Sequence, residues 1–162
     1  MVEPVIRLAR AEDWPFVAGL LVELGRGVAE GTAEDPTHRL QFAGHLRRLD
    51  SVTLVAESDE DVVGVADMEY HQRLGDHRPQ ARVHDVVVTQ RARGLGVGTK
   101  LLQAAEDLAR KRGCFRMTLV TASWREATVG FYRKEGWSDY GTWFVKPLTA
   151  GVTPGGQPQD DD

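Results

Sequence analysis

Two hydrophobic spacings alternate along the chain, and the switches between them mark its elements. Val5–Ala9 reads as a first strand. Asp13 stands where a helix N-cap would, with Pro15 in the first turn behind it. Val17, Leu20, Leu21 and Leu24 follow the i, i+3, i+4, i+7 spacing of an amphipathic helix. Residues 25–35, GRGVAEGTAED, break that spacing with three glycines and three acids. The pattern then predicts a helix over Pro36–Leu49, a strand over Val52–Glu57, a turn at Ser58–Asp61 and a hairpin partner over Val62–His71. A turn at Gly75–Pro79 leads into a β-branched strand, Arg82–Val88. Gly96–Arg112 reads as a helix whose Val97, Leu101, Ala105 and Leu108 share one stripe, with Gly113 as its stop. Phe115–Thr121 is a strand, Arg125–Glu135 a helix stopped by Gly136, and Trp143–Lys146 a last strand.

This order, an antiparallel meander followed by strand–helix units, predicts a mixed α/β sheet with helices on both faces. Residues 1–148 form one domain on this reading. Residues 149–162 read as a disordered acidic tail, because GVTPGGQPQDDD cannot bury a core. No internal repeat is present.

Composition narrows the classes. A chain of 162 residues, 41% hydrophobic and 27% charged, is globular and holds one ordinary domain. No apolar run approaches the roughly 20 residues of a membrane helix, and MVEPVIRLAR lacks a signal core, so a cytoplasmic protein without membrane partners is expected. The single cysteine, Cys114, excludes an internal disulfide and a cysteine-based zinc site. A net charge of -4 argues against general nucleic-acid binding. The charge is uneven: residues 91–116 carry +7 and -2, a balance of +5, against -9 for the remainder. Such a segment is either a solvated helix with Glu106–Arg110 and Asp107–Lys111 pairs or a small site for a polyanion.

The most informative stretch is Val86-Val87-Val88-Thr89-Gln90-Arg91-Ala92-Arg93-Gly94-Leu95-Gly96-Val97-Gly98-Thr99-Lys100. It reads as strand, glycine-rich turn and helix. Such a turn gathers backbone N–H groups at a helix N-terminus and suits phosphate oxygens. A Walker loop fails, because Thr99 separates Gly98 from Lys100; a dinucleotide loop fails, because Thr99 stands at its third glycine. What fits is R-x-x-G-x-G. Two registers overlap, one from Arg91 and one from Arg93, and the Arg93 register places Gly98 in the first helical turn. A merely tight strand-to-helix turn is the plain alternative.

Context adds to the motif. About 27 residues on comes Trp124-Arg125-Glu126-Ala127-Thr128-Val129-Gly130-Phe131-Tyr132-Arg133-Lys134-Glu135-Gly136-Trp137. Together the two segments resemble the GNAT family of acetyl-CoA-dependent N-acetyltransferases, from Val5 to Leu148 and most strongly from Arg82 to Lys146. ARGLGVGTKLL followed by FYRKEGW is most similar to the small aminoalkylphosphonate and glucosamine-phosphate N-acetyltransferase branches. The chain departs from the family pattern in carrying Arg125 for a frequent Asn, Thr128 for a frequent Ala, and Arg82 and His84 where some relatives keep a Glu.

The resemblance implies a mostly antiparallel GNAT-type sheet whose central strands splay. It implies acetyl transfer from acetyl-CoA to a small amine acceptor by direct attack in a ternary complex, without a metal. The Val86–Val88 backbone, Arg91, the loop Arg93, Gly94, Leu95, Gly96, Val97, Gly98 and Thr99, and Arg125 would hold the cofactor. Tyr132 would contact it too and protonate the leaving thiolate. Members are often homodimers, and Trp137 and Trp143 are candidates for such an interface.

Chemistry sets its own demands. An alkyl amine with pKa about 10.4 is neutral in only about one molecule in 2,500 at pH 7, so something must take its proton. His84, Asp85 and Glu69 are the candidate bases, His84 and Asp85 on opposite-facing positions of one strand; a water chain without a dedicated base is the alternative. Cys114 reads as an apolar filler rather than an acyl-carrying nucleophile. His71, Asp76, His77 and His84 gather around one hairpin but match no zinc spacing. The acids Glu30, Glu34 and Asp35 favour a cationic acceptor, whereas Arg73, Arg82 and Arg125 favour an anionic one. A catalytically weak acyl-CoA-binding or regulatory module, and a regulator holding another nucleotide phosphate, are the rival readings.

Overall fold

The computed structural model describes residues 2–25, 33–122 and 125–148. The chain divides into two compact units, Met1–Val120 and Thr121–Asp162. The proposed tail and Glu30 lie outside the described residues, as does Trp124.

The first unit is a five-stranded sheet in strictly sequential order. β1 (Val5–Leu8), β2 (Ser51–Ser58), β3 (Asp61–His71) and β4 (Gln80–Val88) pair antiparallel, and β5 (Met117–Leu119) joins β4 in parallel. Crossing from β4 to a parallel β5 needs a helix, which α3 (Val97–Lys111) supplies. α1 (Trp14–Glu23) and α2 (Pro36–His45) fill the connection between β1 and β2. The mixed sheet flanked by helices is thus the expected one.

Both faces are covered. Val55, Val65 and Val87, aligned across β2, β3 and β4, pack with Trp14, Val17, Ala18, Leu20 and Phe42 of α1 and α2. Val97, Leu101, Leu102, Ala105 and Ala109 of α3 are buried on the other face. The stripe therefore runs through Leu102 and Ala109, with Leu108 only half-buried. Gly64 sets how closely α3 approaches: a Cβ there would lie 3.0 Å from Leu101 Cδ1 and 3.3 Å from the Val87 carbonyl oxygen.

Local departures have physical causes. Asp13 occupies the N-cap position of α1 but makes no cap bond with its side chain. Its carboxylate instead accepts two bonds from Arg7 at 2.8 Å and one from the Arg10 N–H at 2.7 Å. α2 ends at His45 rather than Leu49, and Arg48 turns to Asp50 beyond it. Asp107 reaches Arg110 at 3.6 Å rather than Lys111, while Glu106–Arg110 forms as expected at 3.3 Å. α3 closes with Gly113 at φ 83° and bonds Gly113 N–H to Arg110 O and Cys114 N–H to Ala109 O.

In the second unit, α4 (Glu126–Lys134) closes in the same way. Gly136, at φ 88°, donates to Arg133 O, and the Trp137 N–H donates to Tyr132 O at 3.0 Å. The expected strand at Trp143–Lys146 does not form among the described residues. Trp143, Phe144 and Val145 are exposed, so these residues lack the half-buried surface that favours a strand.

Candidate functional site

The site begins with an irregularity in β4. The register runs Asp67–Asp85 and then Met68–Val83, so His84 is an extra residue that opposes nothing. Such a bulge breaks the alternation of side chains. His84 and Asp85 consequently do not face opposite ways, as a regular strand would require. His84 Nε2 lies 3.2 Å from Glu69 Oε1, and Glu69 shares the face of Asp67, which stands opposite Asp85.

The bulge also changes which backbone groups point outward. Before it, the Ala81 N–H donates to Arg116 O beside β5. After it, the Thr89 N–H donates to Val63 O at 2.9 Å. Alternation from that bond turns the N–H and C=O of Val88, and of Val86 two residues earlier, away from β3. Arg93 Nε donates to the Val88 carbonyl at 2.9 Å on that outer side. Pairing with β5 has ended by then, at Val83–Leu119, so the expected Phe115–Thr121 strand is only three residues long. β4 and β5 part at the bulge, and among the described residues no strand pairs with the outer edge of Val86–Val88.

That edge runs into the glycine loop. A 3-10 turn, Gln90–Ala92, follows, with Ala92 fully buried as its anchor. Gly94 at φ 76° and Gly96 at φ 78° then bend the chain in the left-handed region, where a Cβ would be strained though it would touch nothing. Gly96 is the N-cap of α3 and provides no side-chain cap. The first intrahelical bond is Lys100 N–H to Gly96 O, so the N–H groups at Val97, Gly98 and Thr99 precede the helical ladder. Arg93 through Gly96 are exposed and Val97 is buried at 1%, so the loop is held from below and open above. Backbone N–H groups at a helix N-terminus are, in general, suited to an anion by geometry and by dipole.

The arginines have partners of their own. Arg91 bonds Asp61 at 2.7 Å, and Arg93 reaches Glu23 at 3.5 Å as well as Val88. Glu23 also accepts from Thr89 Oγ1 and the Gln90 N–H, tying the end of α1 to the loop. Sequence pattern alone carried no sign of Glu23.

On the α1–α2 face a polar row crosses the sheet. Thr53, Asp67 and Asp85 are aligned in register on β2, β3 and β4. Thr53 Oγ1 donates to Asp67 Oδ1 at 2.7 Å, and His45 Nε2 meets the same oxygen at 2.8 Å. Sequence reading missed His45, Thr53 and Asp67, because they lie on three elements and no spacing joins them.

Other candidates separate. Burial pushes the Cys114 thiol up, against a nucleophilic thiolate. Asp76 takes the Arg78 N–H, while His84 turns to Glu69, and among the described residues no group of three or more metal-binding side chains is present. Nor is any helix there long and apolar enough to cross a membrane. In the second unit, Arg125 sits at the N-cap of α4 and Tyr132 in its last turn. The Tyr132 ring lies edge-on to Phe131 at 5.3 Å and to Trp137 at 5.9 Å, so the helix-closing motif also fixes that ring.

The fold is thus a mixed sheet whose irregular central strand opens into a glycine loop, and comparison with known proteins gives its family. The sequence profile of the acetyltransferase (GNAT) family matches residues 14–137, and the chain belongs to that family. It is 30% identical over 125 residues to an "IAA acetyltransferase" of Azospirillum brasilense, across 77% of this chain and 78% of that relative. Its fold matches a transcriptional regulator from Bacillus halodurans C-125 with TM-score 0.82 at 23% identity, over 90% of this chain and 99% of the other. It also matches an aminoglycoside acetyltransferase from an uncultured soil metagenomic sample, TM-score 0.76 at 18% identity, over 90% and 97%.

Proposed function

We propose that the protein is an N-acetyltransferase moving an acetyl group from acetyl-CoA to a small primary amine, by direct attack in a ternary complex. The observation that carries this reading is the outward turn of the Val86 and Val88 backbone beyond the bulge, continuous with the Gly94–Gly96 loop and the α3 N-terminus. Acetyl-CoA supplies the acyl group as a thioester. The Arg93–Thr99 backbone would hold its pyrophosphate, with Arg91, Arg93 and Arg125 adding positive charge. The outward N–H groups of Val86 and Val88 would bond its amide and thioester oxygens, and so stabilise negative charge as it develops on the carbonyl. Tyr132 carries a phenol, a group that keeps its proton at neutral pH, and would donate to the departing sulfur. His84, Asp85 or Glu69 would take the ammonium proton, directly or through water.

The acceptor is a small amine. Membership of the aminoalkylphosphonate or glucosamine-phosphate branches would make it anionic, whereas the aminoglycoside acetyltransferase neighbour points to a cationic one. A cytoplasmic homodimer of one domain, residues 1–148, is part of the proposal. Thiol release is measured with acetyl-CoA and n-butylamine, spermidine, 2-aminoethylphosphonate, glucosamine 6-phosphate and sisomicin. Acetylation of one or more is expected, with acetyl-CoA binding that neither ATP nor NAD displaces. Binding without acetylation of any of them would favour a regulatory acyl-CoA module instead.

A further inference from the structure

The α1–α2 face of the sheet changes charge along its length. Next to Val86 the row holds Asp67 and Asp85, the following row Glu69 and Arg82, and the last row His71 and Gln80. On β5, Thr118 stands beside Arg82, and Arg116, two residues before it, faces the same way. Acids therefore hold the end beside Val86, and the guanidiniums of Arg82 and Arg116 the end beyond the bulge. Glu69 stands opposite Arg82 and offsets part of its charge.

Arg116 is gripped twice. Its Cζ lies 5.3 Å from the centre of the Phe115 ring, and its Nε donates to Gln80 Oε1 at 2.7 Å. Gln80 is only 1% exposed, a depth at which an apolar side chain is the ordinary choice. Its Nε2 is buried and has no hydrogen-bond partner among the described residues. The same is true of His71 Nδ1, directly across the ladder, and of Thr118 Oγ1. A buried donor left unmade costs stability, and three orphaned polar atoms at one end of one face mark a place that the chain does not complete by itself. What the buried amide achieves is the orientation of Arg116.

We propose that the acceptor carries an anionic group as well as its amine, the anion bound by Arg82 and Arg116 and the amine lying toward Asp67 and Asp85 beside Val86. Gln80 is the positioning residue that holds Arg116. The acetyltransferase reading underlies this, with His84, Asp85 or Glu69 still taking the ammonium proton. The Asp67 and Glu69 rows lie about 7 Å apart along the strand, and the His71 row about 7 Å further, so one small molecule spans amine to anion. Both guanidiniums make further interactions, and five N–H donors apiece can serve those and an anion together. A planar fork suits carboxylate, phosphonate and phosphate oxygens alike. The second ammonium of a polyamine would meet like charge there, which disfavours it.

The test measures kcat/KM with acetyl-CoA for amines paired to differ in the anion alone. Glucosamine 6-phosphate is set against glucosamine, and 2-aminoethylphosphonate and β-alanine against n-propylamine. The anionic member of at least one pair should lead by about tenfold or more. β-Alanine against 2-aminoethylphosphonate tells a carboxylate from a phosphorus oxyanion. Arg116→Lys keeps the charge and loses the fork, whereas Gln80→Leu keeps the bulk and loses the carbonyl that holds Arg116. The lead should shrink about tenfold in Arg116→Lys and by less in Gln80→Leu. A purely structural role would lower both members of a pair together and leave their ratio alone. Circular dichroism checks both folds, and Arg116→Lys decides alone if Gln80→Leu does not fold. A lead unchanged in either folded variant, equal rates within every pair, or faster acetylation of spermidine or sisomicin overturns the anion site. Binding of acetyl-CoA with none of these amines acetylated would instead overturn the acetyltransferase reading and this inference with it.

Discussion

Gly96 and Tyr132 carry opposite kinds of constraint. Gly96 is chosen for its backbone: at φ 78° it lies where L side chains are strained, and the space a Cβ would enter is open. Gly96→Val should distort the α3 N-terminus and fill that space, weakening acetyl-CoA by at least about tenfold. Calorimetry reads this directly, and unchanged affinity would remove the loop from the cofactor site. Tyr132 is chosen for its side chain. Tyr132→Phe keeps the ring contacts to Phe131 and Trp137, so folding and acetyl-CoA binding should hold. Turnover should fall by about 10²-fold or less, since a thiolate leaves tolerably without help. A wild-type turnover number in a folded variant would make Tyr132 a packing residue. Legibility at this scale followed chemistry per residue. Glycines at 94 and 96 announce themselves, because few other residues tolerate positive φ. Asp67 does not, because its meaning comes from His45, 22 positions away. Asp13 shows the reverse failure: its type and position both suit an N-cap, yet Arg7 outcompetes the helix N–H groups for its oxygens.

β4 is where element-scale reading met its limit. HDVVV reads as a regular strand, and a bulge has no residue signature in it, so the apparent opposition of His84 and Asp85 followed from a period of two that the strand does not keep. The early end of β5 follows from the same event, since a strand that shifts its outward groups by one residue no longer meets its parallel neighbour. Helix boundaries were clearer, because Pro36, Gly113 and Gly136 are explicit stops and starts. The bulged strand is steadied from the α3 side by Gly64, which pairs with Val88. Gly64→Ala would bring a methyl within 3.3 Å of the Val87 carbonyl oxygen and 3.0 Å of Leu101 Cδ1. Leu101 can rotate, but the backbone oxygen has little room to give. The variant should lose about 1–3 kcal/mol by denaturant titration and should also bind acetyl-CoA less tightly, because the displaced strand is the one whose N–H groups face outward. Lost stability with intact affinity would separate this packing contact from the site.

Across the whole molecule, element order and sheet class follow from hydrophobic spacing, while the electrostatic ties that lock distant segments do not. Arg7 on β1 is such a tie, joining Asp13 before α1 to Glu57 on β2. Arg7 and Asp13 expose only 19% and 8% of their side chains, so Asp13 would be a buried charge without Arg7, whereas Arg7 would keep Glu57. Burial by itself would raise the Asp13 pKa, but Arg7 and the Arg10 N–H outweigh it and hold the carboxyl below its ordinary value. Asp13 and Glu57 in turn hold the Arg7 guanidinium charged at any accessible pH. For a carboxyl depressed in the folded state, the stabilisation is complete above its unfolded pKa, about 3.9, and is lost as pH falls through the lower folded value. Glu3 beside Lys100, Asp35 under the Thr37 N–H and Asp50 beside Arg48 are shifted the same way, and they lie at the surface. Acid should therefore destabilise the protein below about pH 4, with Asp13 the main buried contributor. Asp13→Asn should cost about 3 kcal/mol at pH 7, by removing the charge-assisted bonds from Arg7, which keeps Glu57. In a chain of this size that corresponds to about 6–12 °C in Tm. As the pH falls from 5 to 2.5, the wild type loses what the variant never had, so the gap between their melting temperatures should narrow. Scanning calorimetry of both proteins at half-unit pH steps measures it. A gap that stays constant across that range would show that Asp13 stabilises the fold by packing rather than by its charge.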